Sequence, residues 1–80
     1  MKRLSEAKEG EEVKVLEIVG GNAVLSKLLR LGVVPGTEMR IVRNSYGPII
    51  AEVRKIQVAF GRGIAEKIIV EEIEKKENNT

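Results

Sequence analysis

The sequence predicts a mainly β domain with one short helix, built as a small barrel or sandwich of about five strands. Three observations carry that prediction. Stretches rich in β-formers with alternating apolar and polar residues recur at 12–19, 37–43, 49–53, 56–60 and 66–73. Turn-forming residues break the chain roughly every 8–12 residues, as in small all-β folds. Only 22–31 carries its apolar residues at helical spacing.

Taken in order, Leu4 to Lys8 fits a single helical turn, with Leu4 and Ala7 inward, Ser5 as cap and Gly10 as stop. In 12–19, Val13 and Val15 share one parity, whereas Leu16 and Ile18 take the other. Such a phase change predicts a bulge or strong coiling, because a one-residue slip sends every later side chain to the opposite face. Gly20–Gly21 breaks the strand.

The stretch 22–37 organises the rest. Asn22 is the expected N-cap, its side-chain oxygen able to accept from an early helical N–H. Val24, Leu25, Leu28, Leu29 and Leu31 form one broad stripe. Lys27 and Arg30 suit the negative end of the helix dipole. Gly32 is placed to end the helix in the left-handed conformation. Pro35–Gly36 fits the central pair of a type II turn. In so short a chain the helix is expected to plug the core with this stripe.

Beyond it, Met39 and Ile41 alternate with Glu38 and Arg40, and 44–48 is a loop by composition. Ala51 and Val53 take one parity; Ile56, Val58 and Phe60 take the other. A tight reversal at Arg54–Lys55 explains this, although the usual glycine is missing there. Gly61–Arg62–Gly63 is a turn, Ile64–Ala65 a short 3₁₀ piece, and 66–73 a last strand with Ile68 and Val70 on one face. Residues 1–74 form one domain, and 75–80 a polar tail expected to be disordered.

Composition narrows the chemistry. Eighty residues bury only roughly 60% of their unfolded surface, which leaves a thin core. No cysteine and no histidine occur, which removes thiolate and imidazole metal sites, cysteine catalysis and the usual general base. Fourteen basic and twelve acidic residues give a net charge of +2, too balanced to drive nucleic-acid or membrane binding. No apolar run approaches the roughly 20 residues of a membrane span, and the N-terminal residues lack a signal-peptide pattern. A cytoplasmic protein is expected, with no cofactor, no metal site and no catalytic residue.

Gly61–Arg62–Gly63 lacks the third glycine of a dinucleotide fingerprint, so it is a turn presenting Arg62 at its tip. Glu71, Glu72, Glu74 and Glu77 are a solvated charge run rather than a ligand set. Arg40, Arg43, Arg54 and Lys55 form a candidate basic stripe, but Tyr46 and Phe60 are the only aromatics available for stacking. Tyr46–Gly47–Pro48 is equally a recognition loop or a simple turn. Of Val33 and Val34, one faces inward, and the other extends an apolar patch at the helix end.

With these elements placed, the sequence resembles the ferrous iron transport protein A (FeoA) family. Leu4-Ser5-Glu6-Ala7-Lys8 with Gly10 resembles its opening motif, and 15–21 its first strand and glycine pair. Leu28-Leu29-Arg30-Leu31-Gly32-Val33-Val34-Pro35-Gly36-Thr37 resembles its most specific signature. Residues 48–53 and 59–68 resemble its later motifs. Val33 departs from the family's usual leucine, and the hairpin at Arg54–Lys55 from its usual glycine. The resemblance implies an SH3-like barrel with an inserted helix. It also implies a non-enzymatic cytosolic accessory of bacterial ferrous iron uptake, loosely described as metal-binding, whose partner is the FeoB permease through its GTP-binding portion.

The expectation is therefore a protein-binding module that docks on that permease. Val33, Val34, Tyr46 and Arg62 are the candidate exposed contacts, with Leu28, Leu29 and Leu31 behind them in the core. Weak self-association stands beside it. The alternative is an RNA- or ribosome-associated barrel using Arg40, Arg43, Arg54 and Lys55.

Overall fold

The chain alternates short strands with three brief helical pieces. The computed structural model describes residues 1–73; Glu74 and the 75–80 tail lie outside the described residues. In chain order the elements are β1 (Lys2–Arg3), a 3₁₀ turn (Leu4–Glu6), β2 (Glu12–Ile18), α1 (Asn22–Arg30), β3 (Glu38–Arg43), β4 (Ile49–Val53), β5 (Ile56–Phe60), α2 (Arg62–Ala65) and β6 (Ile68–Glu72). The strands form one antiparallel sheet in the order β1-β6-β2-β3-β4-β5. This is the expected mainly β, SH3-like architecture, with the helix between β2 and β3. The additional strand is β1, whose two residues are too few to show an alternation.

Period-2 patterning fills the core. Val13, Val15, Met39, Ile41, Ile49, Ala51, Val53, Phe60, Ile68 and Val70 point inward and are buried. Leu4 and Ala7 join them from the N-terminal segment. The phase change in β2 is a bulge: Val15 pairs with Val70 and Glu17 with Ile69, leaving Leu16 unmatched. A second bulge leaves Val42 unmatched between Ile41 and Arg43. Each bulge bends its strand and increases the local twist, so the sheet curls.

The helix departs from expectation twice. Gly21, not Asn22, holds the N-cap position; Asn22 is the first helical residue, and no side chain caps the helix. Of the predicted stripe, only Leu28 is fully buried and Val24 partly so, whereas Leu25, Leu29 and Leu31 are 40%, 64% and 42% exposed. The strands already supply most of the buried side chains, so the core accepts one full helical side chain, not five. Nine residues span only about 13 Å of helix.

The C-terminal end of α1 behaves as its sequence implies. Gly32 has φ +79°, and the N–H groups of Val33 and Gly32 donate to Leu28 O and Leu29 O, both at 2.9 Å. This is a Schellman closure, and its usual apolar contact falls between the buried pair Leu28 and Val33. Thr37 N–H then donates to Val34 O at 2.9 Å across Pro35–Gly36, with Gly36 at φ +97°, as a type II turn requires.

Arg54 and Lys55 both adopt positive φ, 53° and 69°, and Val53 pairs with Ile56. That is the two-residue hairpin turn whose twist matches the sheet. Here it is built without glycine, at a cost of roughly 1–2 kcal/mol for each left-handed residue. Arg54 Nη1 donates to Gly32 O at 3.1 Å, tying the hairpin tip to the helix end. Two smaller corrections follow. Ile56 is 65% exposed because β5 is an edge strand. Residues 62–65 form an α-helical turn rather than a 3₁₀ piece.

Three substitutions test this arrangement by urea unfolding. Leu28→Ala is expected to cost about 2–5 kcal/mol, while Leu29→Ala stays within about 0.5 kcal/mol. Lys55→Gly is expected to raise stability by about 1 kcal/mol by relieving the left-handed backbone.

Candidate functional site

The sheet fixes the helix through Leu28, with Val24 packed beside it, and this turns Leu25, Leu29 and Leu31 outward. Leu25 and Leu29 lie one helical turn apart and share a face, and Leu31 follows at the helix end. Leu25 and Leu29 make a small apolar surface beside that internal anchor, while Leu31, about 200° round from Leu29, lies on the other flank of Leu28. Val34 is half-buried in the connector that follows, and its N–H donates to Thr37 Oγ1 at 3.0 Å. Val33 is not part of this surface. It is completely buried because the Schellman closure drives it into the core beside Leu28. Of the adjacent valines, the second is the one that reaches solvent.

Tyr46 and Arg62 sit elsewhere. The 44–48 loop lies at one end of β4 and the 54–55 hairpin tip at the other, separated by five residues, or roughly 15 Å of strand. The helix end is tied to the hairpin tip, so the candidate contacts fall into two groups rather than one. Tyr46 is 93% exposed. Arg62 is exposed but engaged: its guanidinium donates to Asn44 Oδ1 at 2.7 Å and to Ser45 O at 2.9 Å. It therefore holds the base of the Tyr46 loop.

Asn44 is the residue that sequence reasoning missed. Its side-chain amide donates to Ser5 O at 3.1 Å and Ala7 O at 2.6 Å, and its backbone N–H to Glu9 Oε2 at 3.0 Å. One side chain thus joins the N-terminal turn, the 44–48 loop and α2. All its partners, Ser5, Ala7, Glu9 and Arg62, are far away in sequence, so no local pattern marks it. Thr37 is similar: its buried hydroxyl accepts from Val34 and donates to Gly32 O at 3.3 Å.

The outer face of the sheet is charged but mixed. Glu12, Arg40, Glu52 and Gln57 lie opposite one another across four strands, and Glu38, Lys14 and Glu71 across three. Arg40 forms an ion pair with Glu52, and Arg54 is spent on the helix end. The expected basic stripe is thereby interrupted at two of its four members. An open depression of about 480 Å³ is lined by Lys8, Glu9, Gly10, Glu11, Glu12, Glu72 and Ile73. Among the described residues, no three acidic groups are placed to share a metal ion.

The carboxylate of Glu11 in that depression is already committed. Lys2 Nζ donates to both its oxygens, at 2.8 and 2.9 Å, and the Lys8 N–H adds a third bond at 2.8 Å. The Lys2 bond first, and then the Lys8 N–H, hold its pKa below the ordinary 4.5, against a smaller opposing effect of desolvation.

A curled six-stranded SH3-like domain with a helix between its second and third strands, and three leucines of that region facing solvent, defines the class. The FeoA domain family model matches residues 2–72, and the chain belongs to that family of ferrous iron transport accessory proteins. The Fe(2+) transport protein A of Methanocaldococcus jannaschii is 41% identical over 71 residues, covering 89% of this chain and 87% of that protein. A crystal structure of an iron uptake regulatory protein, FeoA, superposes with a TM-score of 0.83 at 33% identity, over 90% of this chain and 96% of the other. The FeoA protein of Chlorobium tepidum gives a TM-score of 0.82 at 28% identity, over 94% and 73%.

A depressed carboxylate pKa stabilises the fold above the unfolded value, and that contribution is lost as pH falls through the folded one. Thermal unfolding from about pH 6 to about pH 3 should therefore show a loss of stability beginning just below 4.5. Glu11→Gln should remove that share, lowering stability by about 1 kcal/mol at neutral pH and flattening the acid limb. Arg62→Ala should accelerate amide hydrogen exchange at 45–47 while leaving β2 and β6 protected, since it releases the loop and not the sheet.

Proposed function

We propose that the chain is a cytoplasmic, non-catalytic docking module that binds the GTP-binding portion of a FeoB-type ferrous iron permease and modulates uptake. The observation that carries this is the outward pair Leu25 and Leu29, with Leu31 exposed on the other flank, on a helix whose Leu28 is locked in the core. Apolar side chains held rigidly at a surface gain by burial against a partner and lose little conformational entropy in doing so. Membership of the FeoA family supplies the iron-transport setting. Val34 is half-buried in the connector that follows. Tyr46, carried at the far end of β4 on a loop braced by Arg62, is a second contact for a partner large enough to reach both.

The RNA-associated reading is disfavoured by the alternating signs along the cross-strand rows and by the engagement of Arg40 and Arg54. A sheet face of mixed charge does not track a phosphate backbone.

Titration of the soluble GTP-binding domain of the permease, with and without nucleotide, tests the proposal. Leu29→Glu should weaken binding at least about tenfold, with no loss of fold by circular dichroism, and the affinity should change little with salt. Binding that is insensitive to Leu29→Glu and Leu25→Glu, or that collapses as salt rises, overturns it.

A further inference from the structure

The two edges of the sheet are protected very differently. At one edge β1 is two residues long and both are basic, which discourages strand addition. At the other edge β5 runs five residues, Ile56-Gln57-Val58-Ala59-Phe60, with no charge, no proline and a regular, unbulged pairing with β4. Natural edge strands carry at least one such device when they are to remain unpaired.

The turn decides which backbone groups face outward. Val53 and Ile56 flank a two-residue hairpin loop, and such flanking residues exchange both of their hydrogen bonds. Ile56, Val58 and Phe60 therefore bond to β4, while the N–H and C=O groups of Gln57 and Ala59 point to the open edge. No backbone bond to these two residues from outside the β4 ladder occurs among the described residues.

We propose that β5 is a self-association strand, pairing antiparallel with β5 of a second copy across a two-fold axis centred on Val58. This does not rest on the permease reading, which uses the α1 leucines. In this register Gln57 lies opposite Ala59 of the second copy, and Ala59 opposite its Gln57. All four outward groups of each strand are then satisfied. Ile56, which is 65% exposed, comes to lie opposite Phe60 of the second copy. Two identical antiparallel strands repel wherever a like charge meets its own kind, and this strand carries none. Just outside the strand the same register sets Arg54 in the row of Arg62 of the second copy, but both guanidiniums are drawn aside, Arg54 to Gly32 O and Arg62 to Asn44 Oδ1 and Ser45 O, so the strand fits a second copy of itself.

Sedimentation equilibrium of the whole chain, from about ten micromolar to about one millimolar, tests the proposal in the range expected for a small, transient interface. A reversible monomer–dimer equilibrium is expected. Ala59→Pro removes an outward N–H and no bond to β4, and should abolish the dimer. Should that variant fold poorly, charge variants give the same answer. Q57K with A59K sets lysine against lysine and should weaken dimerisation at least about tenfold, whereas Q57K with A59E sets opposite charges across the axis and should restore it. A chain that stays monomeric at every concentration overturns the proposal and leaves the edge to a strand of another protein. So does a dimer indifferent to these substitutions, or one weakened by both charge pairs alike.

Discussion

Between Leu28 and Val33 the chain stops a helix and begins a connector. The Val33 N–H closes onto the Leu28 carbonyl while both side chains disappear into the core. The carbonyl of Gly32, inside the same closure, takes the Thr37 hydroxyl and the Arg54 guanidinium. Helix end, connector and hairpin tip are thus tied at one point. Once Leu28 and Val33 face inward there, helical geometry leaves Leu25, Leu29 and Leu31 no route into the same core. The exposed leucines are a consequence of how the helix is stopped.

Where the determinants are local, the sequence disclosed the fold. The Pro35–Gly36 turn, the reversal at 54–55 and the bulge at Leu16 all follow from neighbouring residues that restrict the backbone or change parity. Burial of the helix did not follow. Periodicity gives the direction of an apolar face, but how much of it is covered depends on how full the interior already is. The strands nearly fill it. Val33 and Val34 were equivalent on paper, because a connector has no period to separate them, and only the closure onto Leu28 does. Asn44 was invisible for a related reason: its partners at 5, 7, 9 and 62 are brought together by the fold alone.

The described surface divides by chemistry. The outer sheet face alternates positive and negative across the strands, which keeps it hydrated and without a net field. Apolar exposure falls at the helix, at Tyr46 in the far loop, at Ile56 on the edge strand, and at Met1 and Val19. Arg62 shows how a residue can belong to a surface without being offered to a partner: its charge is exposed, but its hydrogen bonds are used to hold a loop.

Asn44 also bears on chemical lifetime. It precedes Ser45, a small residue that does little to shield an asparagine amide from attack by the following backbone nitrogen. Deamidation there would turn the group that donates to the Ser5 and Ala7 carbonyls into a carboxylate that repels both. It would also set a new negative charge near Glu9, which already accepts from the same residue. The bonds that fix Asn44 also hinder the ring closure that begins such damage, so deamidation at this position is governed by how often that amide comes loose.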